Sequence, residues 1–369
     1  MRVKSRLKDI VSYSKGSQIN GDELLEYGKY DYLNGGILPS GKWNECNTDA
    51  KTVTISEGGN SCGYVNYMQE PFWCGAHCYY LFDEKVDKKY LYYILKSQQD
   101  RLMKLRSGAC MPNIKKSDLG NFEVIYDTDV KKQQRIIDIL DGVSLIISTR
   151  RRQLQKLDEL LKARFVEVFG DPVSNPLSWE KKNLGEVCIK LNDGTHLSPE
   201  SFETGDYKYV TAKNIKLSGF DFTNITYVPK EVHKRIYERC NPELGDVLYI
   251  KDGVTTGIAM VNTLEEEFTL LSSVALLKQD RRIMNGHFLA ALLNNESMYI
   301  DIRSNMGGAA ITRLTIAKLN AIKVILPPIE LQNQFAKFVK QIDKTKLAVQ
   351  QTLDKAQILF DSLMQKYFG

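Results

Sequence analysis

Two stretches of the chain, Lys131 to Gly170 and Glu330 to Gly369, align with each other without a gap at a shift of 199 residues. The alignment pairs Gln133 with Gln332, Ile136 with Phe335, Leu160 with Leu359, and the closing Phe169-Gly170 with Phe368-Gly369. Apolar residues fall at Ile136, Leu140, Val143, Ile147, Leu154, Leu157, Leu161 and Phe165 in the first, and at Phe335, Val339, Ile342, Val349, Leu353, Ala356, Phe360 and Leu363 in the second. Steps of three or four, with one step of seven in each stretch, keep one helix face apolar over many turns, and such a stripe needs a partner helix. Neither stretch contains proline. At the α-helical rise each helix would be about 55 to 60 Å long, too long for the core of a compact domain and suited to a coiled coil.

If the helices repeat, the remainder should repeat as well, and it does so loosely and in the same order. Arg6-Leu7-Lys8-Asp9-Ile10 matches Asn183-Leu184-Gly185-Glu186-Val187, each opening a half. Gly28 to Gly41 matches Gly205 to Gly219, a short aromatic-rich strand followed by a polar turn. Val53 to Val65 matches Leu248 to Val261, a strand-turn-strand unit around a glycine-rich turn. Both halves then show a helix, Tyr90 to Leu105 and Gly286 to Arg303, a small-residue loop, and a closing strand. The pattern predicts an α+β chain with a pseudo-two-fold internal repeat. Two similar mixed globular domains, residues 1–130 and 171–329, alternate with long helices over 131–170 and 330–369. Packed on each other, those helices must run antiparallel.

Length and composition fit two or three ordinary globular domains: 369 residues, 43% hydrophobic, 26% charged. The formal net charge of +5 permits a polyanionic partner without requiring one. No signal-peptide core and no run of about 18 apolar residues is present, which points to a soluble, cytoplasmic protein without membrane contact. Seven cysteines, an odd number spread over both halves, fit a reducing compartment. The Cys74, His77, Cys78 spacing, with Cys62 upstream, departs from the paired CxxC of zinc sites and reads as buried thiols rather than a metal site.

Catalytic signatures fail their structural context. Gly36 to Lys42 fits the opening of a phosphate-binding P-loop, but Trp43 stands where Ser or Thr should hold magnesium, and no helix follows. Adenine methylation would need an Asp/Asn-Pro-Pro-aromatic loop, and the nearest strings are Asn241-Pro242-Glu243 and Leu326-Pro327-Pro328-Ile329. The four histidines, His77, His196, His233 and His287, have no carboxylate or nucleophile motif around them in sequence. The chain reads as a binder with no catalytic residues.

The residues resemble the specificity subunit of type I restriction-modification systems. The loop Gly307-Gly308-Ala309-Ala310-Ile311, the strand leading to Leu326-Pro327-Pro328-Ile329-Glu330-Leu331-Gln332, and the long helix ending in Phe368-Gly369 carry the resemblance. In the first half it rests on SGACMPNIKKSDL, KKQQRI and the helix ending in Ala163 to Pro172. The first copy departs from the family in having Tyr126-Asp127-Thr128-Asp129 where a proline pair is common. The resemblance implies a non-catalytic DNA reader whose two target recognition domains each take one half of a bipartite, asymmetric site in double-stranded DNA. It implies that the paired helices set the spacer and dock two methyltransferase subunits. No cofactor is expected on this chain: S-adenosylmethionine would sit on those subunits, and ATP and magnesium on separate restriction and motor subunits.

Base-edge reading needs Arg, Lys, Asn or Gln on turns that can enter a groove. Turns of the first domain offer Lys15, Gln18, Asn34, Lys42, Trp43, Asn60, Ser61, Arg106, Asn113 and Lys115. Those of the second offer Lys213, Asn214, Lys251, Asp252, Thr255, Thr256, Arg303 and Arg313, with Gly253, Gly257, Gly307 and Gly308 permitting close backbone approach. The first helix region is itself positive: nine basic and five acidic residues give +4, and Arg150-Arg151-Arg152 lies midway. That charge suits DNA, acidic partner faces or plain solvent equally. Two other classes fit such a chain: a coiled-coil scaffold joining two protein-binding heads without DNA, and a recognition fragment detached from a single-chain restriction-methylation enzyme.

Overall fold

A computed structural model of the chain describes residues 1–108, 112–304 and 313–369. Gly307 and Gly308, with the middle of both small-residue loops, lie outside the described residues. The chain forms two compact units, Met1–Arg152 with Gln350–Gly369, and Gln153–Val349. The long helices run Val130–Phe169 and Ile329–Phe368, so each passes from one unit into the other. Among the described residues no helix is long and apolar enough to cross a membrane.

The first unit is built on a four-stranded antiparallel sheet in the order Ser12–Lys15, Cys78–Phe82, Thr52–Ser56, Val65–Met68. Thr52–Ser56 is buried along its whole length, as a central strand covered on both faces must be. A smaller sheet orders Gly41–Trp43, Tyr30–Leu33 and Phe72–Cys74, with the last pair parallel. Arg2–Arg6 pairs with Glu123–Asp127. The helix Lys88–Ser97 starts at Asp87, whose side chain accepts the N–H groups of Lys89 and Tyr90. Its buried face meets Ile136, Ile137 and Leu140 of the first long helix and Met364 of the second in one core.

The second unit repeats this plan. Its sheet orders Cys188–Asp193, Val274–Gln279, Val247–Ile250 and Ala259–Val261, all antiparallel. Its smaller sheet orders Thr226–Val228, Tyr207–Val210 and Thr269–Leu270, again with the last pair parallel. Lys181–Asn183 pairs with Lys323–Ile325. The helix Gly286–Leu293 is capped by Asn285 through the N–H groups of His287 and Phe288. A helix over Lys230–Tyr237 has no counterpart in the first unit among the described residues.

The expected continuous helices after each sheet are broken. Lys88–Ser97 stops at Gln98 and restarts as Gln99–Met103, and Gly286–Leu293 gives way to Glu296–Ser304. In the second case Asn295 bonds the N–H of Ser297 with its own side chain, a capping geometry that competes with helix continuation.

In each unit the two long-helix segments pack antiparallel, apolar seam to apolar seam. In the first unit Ile136, Ile137 and Leu140 share one core with Phe360, Leu363 and Met364, and Arg151 donates to Gln357 across the pair. In the second, Phe165 and Phe169 pack on Phe335 at ring distances of 5.6 and 5.4 Å. The paired glutamines hold equivalent places. Gln133 Nε2 donates to Asp127 O at 2.7 Å and its Oε1 accepts from the N–H of Asp87, while Gln332 does the same with Pro327 O at 2.8 Å and the N–H of Asn285. Each fastens the start of a long helix to the cap of the helix packed beside it. Where the second joint has Pro327-Pro328, the first uses Asp127, whose buried carboxylate bonds Lys132 and the N–H of Asp129.

Candidate nucleic-acid interface

Both four-stranded sheets end in the same construction. The edge strands Ser12–Lys15 and Cys188–Asp193 run into Gly16 and Gly194. A Cβ at Gly16 would stand 1.8 Å from the Cys74 carbonyl oxygen, and one at Gly194 1.9 Å from that of Leu270. The next N–H, of Ser17 or Thr195, donates to that same carbonyl at 2.9 Å. Only glycine permits this approach, which ties the outgoing loop to the turn entering the middle strand.

The central strands continue into Glu57 and Lys251, which also make matching bonds. Glu57 N donates to His77 O at 2.9 Å and Glu57 O accepts from Ile114 N at 2.8 Å; Lys251 N donates to Ser273 O and Lys251 O accepts from Leu314 N, both at 2.9 Å. Segments distant in sequence are thereby gathered at one end of each unit.

In the first unit this end holds Lys15, Gln18, Asn34, Asn60, Ser61 and Asn113. Lys15 Nζ lies 2.6 Å from Glu57 Oε1, and Asn34 accepts from His77 N at 3.0 Å while donating to Gln18 Oε1 at 3.2 Å. Ser61 Oγ donates to Gly35 O at 2.6 Å, and Gly59 N donates to Pro112 O at 3.0 Å beside the Gly58–Asn113 bridge. Asn60 is exposed on that turn; Arg106, also exposed, precedes the Ser107–Asn113 bridge, and Lys115 follows Ile114. Lys42 and Trp43, read as turn residues, instead belong to a strand, because Trp43 pairs in register with Tyr30. Lys42 is committed to Asp31 at 2.7 Å, and Trp43 meets Trp73 edge to face at 6.4 Å. Trp73 Nε1 in turn donates to Ser17 O at 2.7 Å.

The second unit gathers Lys251, Asp252 and Arg313 with Asp193, Arg239 and His196. Lys251 Nζ lies 2.8 Å from Asp252 Oδ2 and 3.4 Å from Asp193 Oδ2. Arg239 Nη2 donates to Asp193 Oδ1 at 2.7 Å, His196 Nε2 lies 3.2 Å from Asp193 Oδ2, and Arg313 Nε lies 3.4 Å from Asp252 Oδ1. Three expected readers are buried here: Lys251 within this cluster, Thr256 with its hydroxyl donating to Gly253 O, and Asn214 capping the turn that begins at Thr211. Their side chains are buried where they brace the loops. Arg303 is half-buried, donating to Thr256 O at 3.2 Å and to the Tyr299 hydroxyl at 2.6 Å. Lys213, Thr255 and Arg313 are exposed.

Sequence reasoning passed over Glu57, His77, Asp193, His196 and Arg239. Three histidines thought to lack acidic neighbours have them: His77 beside Glu57 at 3.3 Å, His196 beside Asp193, and His233 beside Glu267 at 3.2 Å. The first and third partners come from other strands and loops, 20 and 34 residues away, so no local motif announces them. One signal was present: the matched strand-turn-strand strings set Glu57 near Lys251. Cys62, Cys74 and Cys78 are buried, and a hydrogen bond with Cys78 together with desolvation pushes the Cys74 thiol well above its usual range.

The sequence model of the type I restriction modification DNA specificity domain matches residues 3–159 and again residues 176–357. The chain belongs to that family. The two specificity domains of the match are the two copies of the repeat, each running into one of the long helices. A Mycoplasma genitalium protein named as a type I specificity subunit is 26% identical over 386 residues, 99% of this chain and 93% of its own length. A Mycoplasma pneumoniae protein named likewise is 31% identical over 223 residues, 57% of this chain and 59% of its own. The crystal structure of the S subunit of a type I restriction-modification system from M. genitalium shares the fold, with a TM-score of 0.70 at 22% identity, covering 100% of this chain and 96% of that one. Membership assigns the chain a role in DNA specificity, and the loop ends just described carry different side chains in the two specificity domains over matching backbone bonds.

Proposed function

We propose that this chain is the sequence-specific DNA-binding subunit of a type I restriction-modification complex, working in the cytoplasm and performing no chemistry itself. Each unit reads one half of a bipartite, asymmetric site in double-stranded DNA. The observation that carries the reading is one hydrogen-bonded skeleton built twice, with unlike side chains at the same loop ends: a common frame with different readers suits two different half-sites. Exposed Gln18, Asn60, Arg106 and Asn113 in the first unit, and Lys213, Thr255 and Arg313 in the second, supply the donors that base edges and phosphates need.

The long helices set the separation of the half-sites and dock two methyltransferase subunits. Supporting this, their outward faces carry exposed Leu145, Ile146, Ile358 and Leu359 in the first unit and Leu160 and Leu347 in the second, more apolar surface than a solvated helix needs. In this reading S-adenosylmethionine belongs to the methyltransferase subunits, and ATP and magnesium to restriction and motor subunits. The test is a gel shift of the chain, alone and with methyltransferase subunits, on random-sequence duplex at low salt, followed by selection of bound sequences. Salt-dependent binding that converges on two separated half-sites is expected. No binding in either form would leave a protein-binding scaffold as the better account.

A further inference from the structure

An ion pair joins the ends of two strands at equivalent positions in the two units, with its signs exchanged. Lys15 and Asp193 each end the edge strand, opposite Tyr79 and Ala275 of the middle strand. Glu57 and Lys251 each follow the central strand and share the backbone bonds given above. The first unit therefore has its cation on the edge strand and its carboxylate on the central one, and the second has the reverse. A buried carboxylate needs its remaining lone pairs satisfied. Whatever satisfies them is held where that carboxylate stands.

In the first unit Glu57 holds, besides Lys15, the imidazole of His77, which is 63% exposed. In the second unit Asp193 holds, besides Lys251, the guanidinium of Arg239, which is 50% exposed, and the imidazole of His196, which is 51% exposed. Arg239 is fixed further by bonds from Nη2 to the carbonyl oxygens of Asp193 and Gly194 at 3.2 and 3.0 Å. Exchanging the signs thus moves the anchored, exposed nitrogen donors from the turn before Cys78 to His196, in the loop leaving the edge strand, and Arg239, two residues beyond the helix Lys230–Tyr237; of these Arg239 is held by the most bonds. Among the described residues the first unit has no counterpart of that helix.

We propose that Arg239 in the second unit and His77 in the first are specificity-determining side chains, each positioned by the buried carboxylate of the exchanged pair. This rests on the reading of the loop ends as the DNA surface. A guanidinium held through Nη2 keeps Nη1 in one place to donate to a base edge at low entropic cost, and an imidazole offers a single directed nitrogen. The two units then present different donors at different places on one frame.

The experiment uses the chain assembled with its methyltransferase subunits. The wild-type site is first selected from random duplex, and binding is then measured on the selected duplex and on every single-base variant of it. Arg239→Ala is expected to lose about ten- to a hundred-fold discrimination at one position of one half-site, with the other half-site and the salt dependence unchanged. His77→Ala does the same in the other half-site. Arg239→Lys keeps a cation beside Asp193, and so the fold, yet loses the discrimination. Uniform weakening on all duplexes with a shallower salt dependence would make Arg239 a backbone contact and overturn the proposal, as would full discrimination in the Lys variant. A wild-type assembly with no sequence preference fails the underlying reading before any variant is measured.

Discussion

Asp127 concentrates several structural demands in one side chain. It closes the strand paired with Arg2–Arg6, its carbonyl receives the Gln133 amide, and its carboxylate bonds Lys132 and the N–H of Asp129. Those donors, Lys132 foremost, hold the carboxyl well below the usual carboxylate range. A carboxyl with a depressed folded-state pKa contributes stability that is present above its unfolded value, about 3.9, and lost as pH falls below it. Asp127→Asn should therefore be less stable than wild type at pH 7, and the gap should shrink as urea unfolding is followed down toward pH 3. An undiminished gap at acid pH would show that the carboxylate charge is not what matters there. In sequence the position stood out only as a departure from a proline pair. Lys132 and Asp129 are near in the chain, but the Met1 amine, 126 residues away, bonds the same carboxylate at 3.0 Å, and nothing local says that these donors converge. The same holds for Lys15 with Glu57 and Asp193 with Lys251, whose strands lie 42 and 58 residues apart and meet only through sheet register.

At the scale of elements, the long helices were the most legible part of the chain. A stripe repeated every three or four residues over forty positions has few alternatives, and the helices begin and end one residue before the pattern places them. The short helices were harder, since a side-chain cap at Asn295 or a bend at Gln98 interrupts a run whose apolar spacing continues through it. The helix ends are fastened to the second unit by aromatic packing. Phe169 is fully buried, with its ring 4.7 Å from Phe288, 5.2 Å from Phe165 and 5.4 Å from Phe335. Phe169→Ala should cost about 3 to 5 kcal/mol in denaturant unfolding of the second unit's signal. Phe360, half-buried against Tyr93 in the first unit, provides the milder comparison. Equal losses at both positions would mean that the four-ring cluster is not the fastening.

For the whole molecule, the proposed division of labour follows from the repeat. Each half supplies a complete sheet, its own core and its own loop end, so the two loop ends are free to diverge while the frame stays fixed. The order domain, helix, domain, helix was readable from matched segments. The contact units were not, because each takes a half of both helices and the chain returns to its first unit only after Val349. Which loop-end residues face outward was also hidden, since Lys251, Asn214 and Thr256 look like readers in a string of turn residues and are buried in the fold. The central claim is that reading lies in the loop ends and spacing in the helices. It is tested most directly by inserting seven residues into each helix, between Arg152 and Gln153 and between Val349 and Gln350. That adds about 10 Å of helix while nearly preserving the apolar seam. Methylated sites mapped in cells carrying the lengthened chain should keep both half-site sequences and gain a spacer longer by about three base pairs. Altered half-sites with an unchanged spacer would contradict the account.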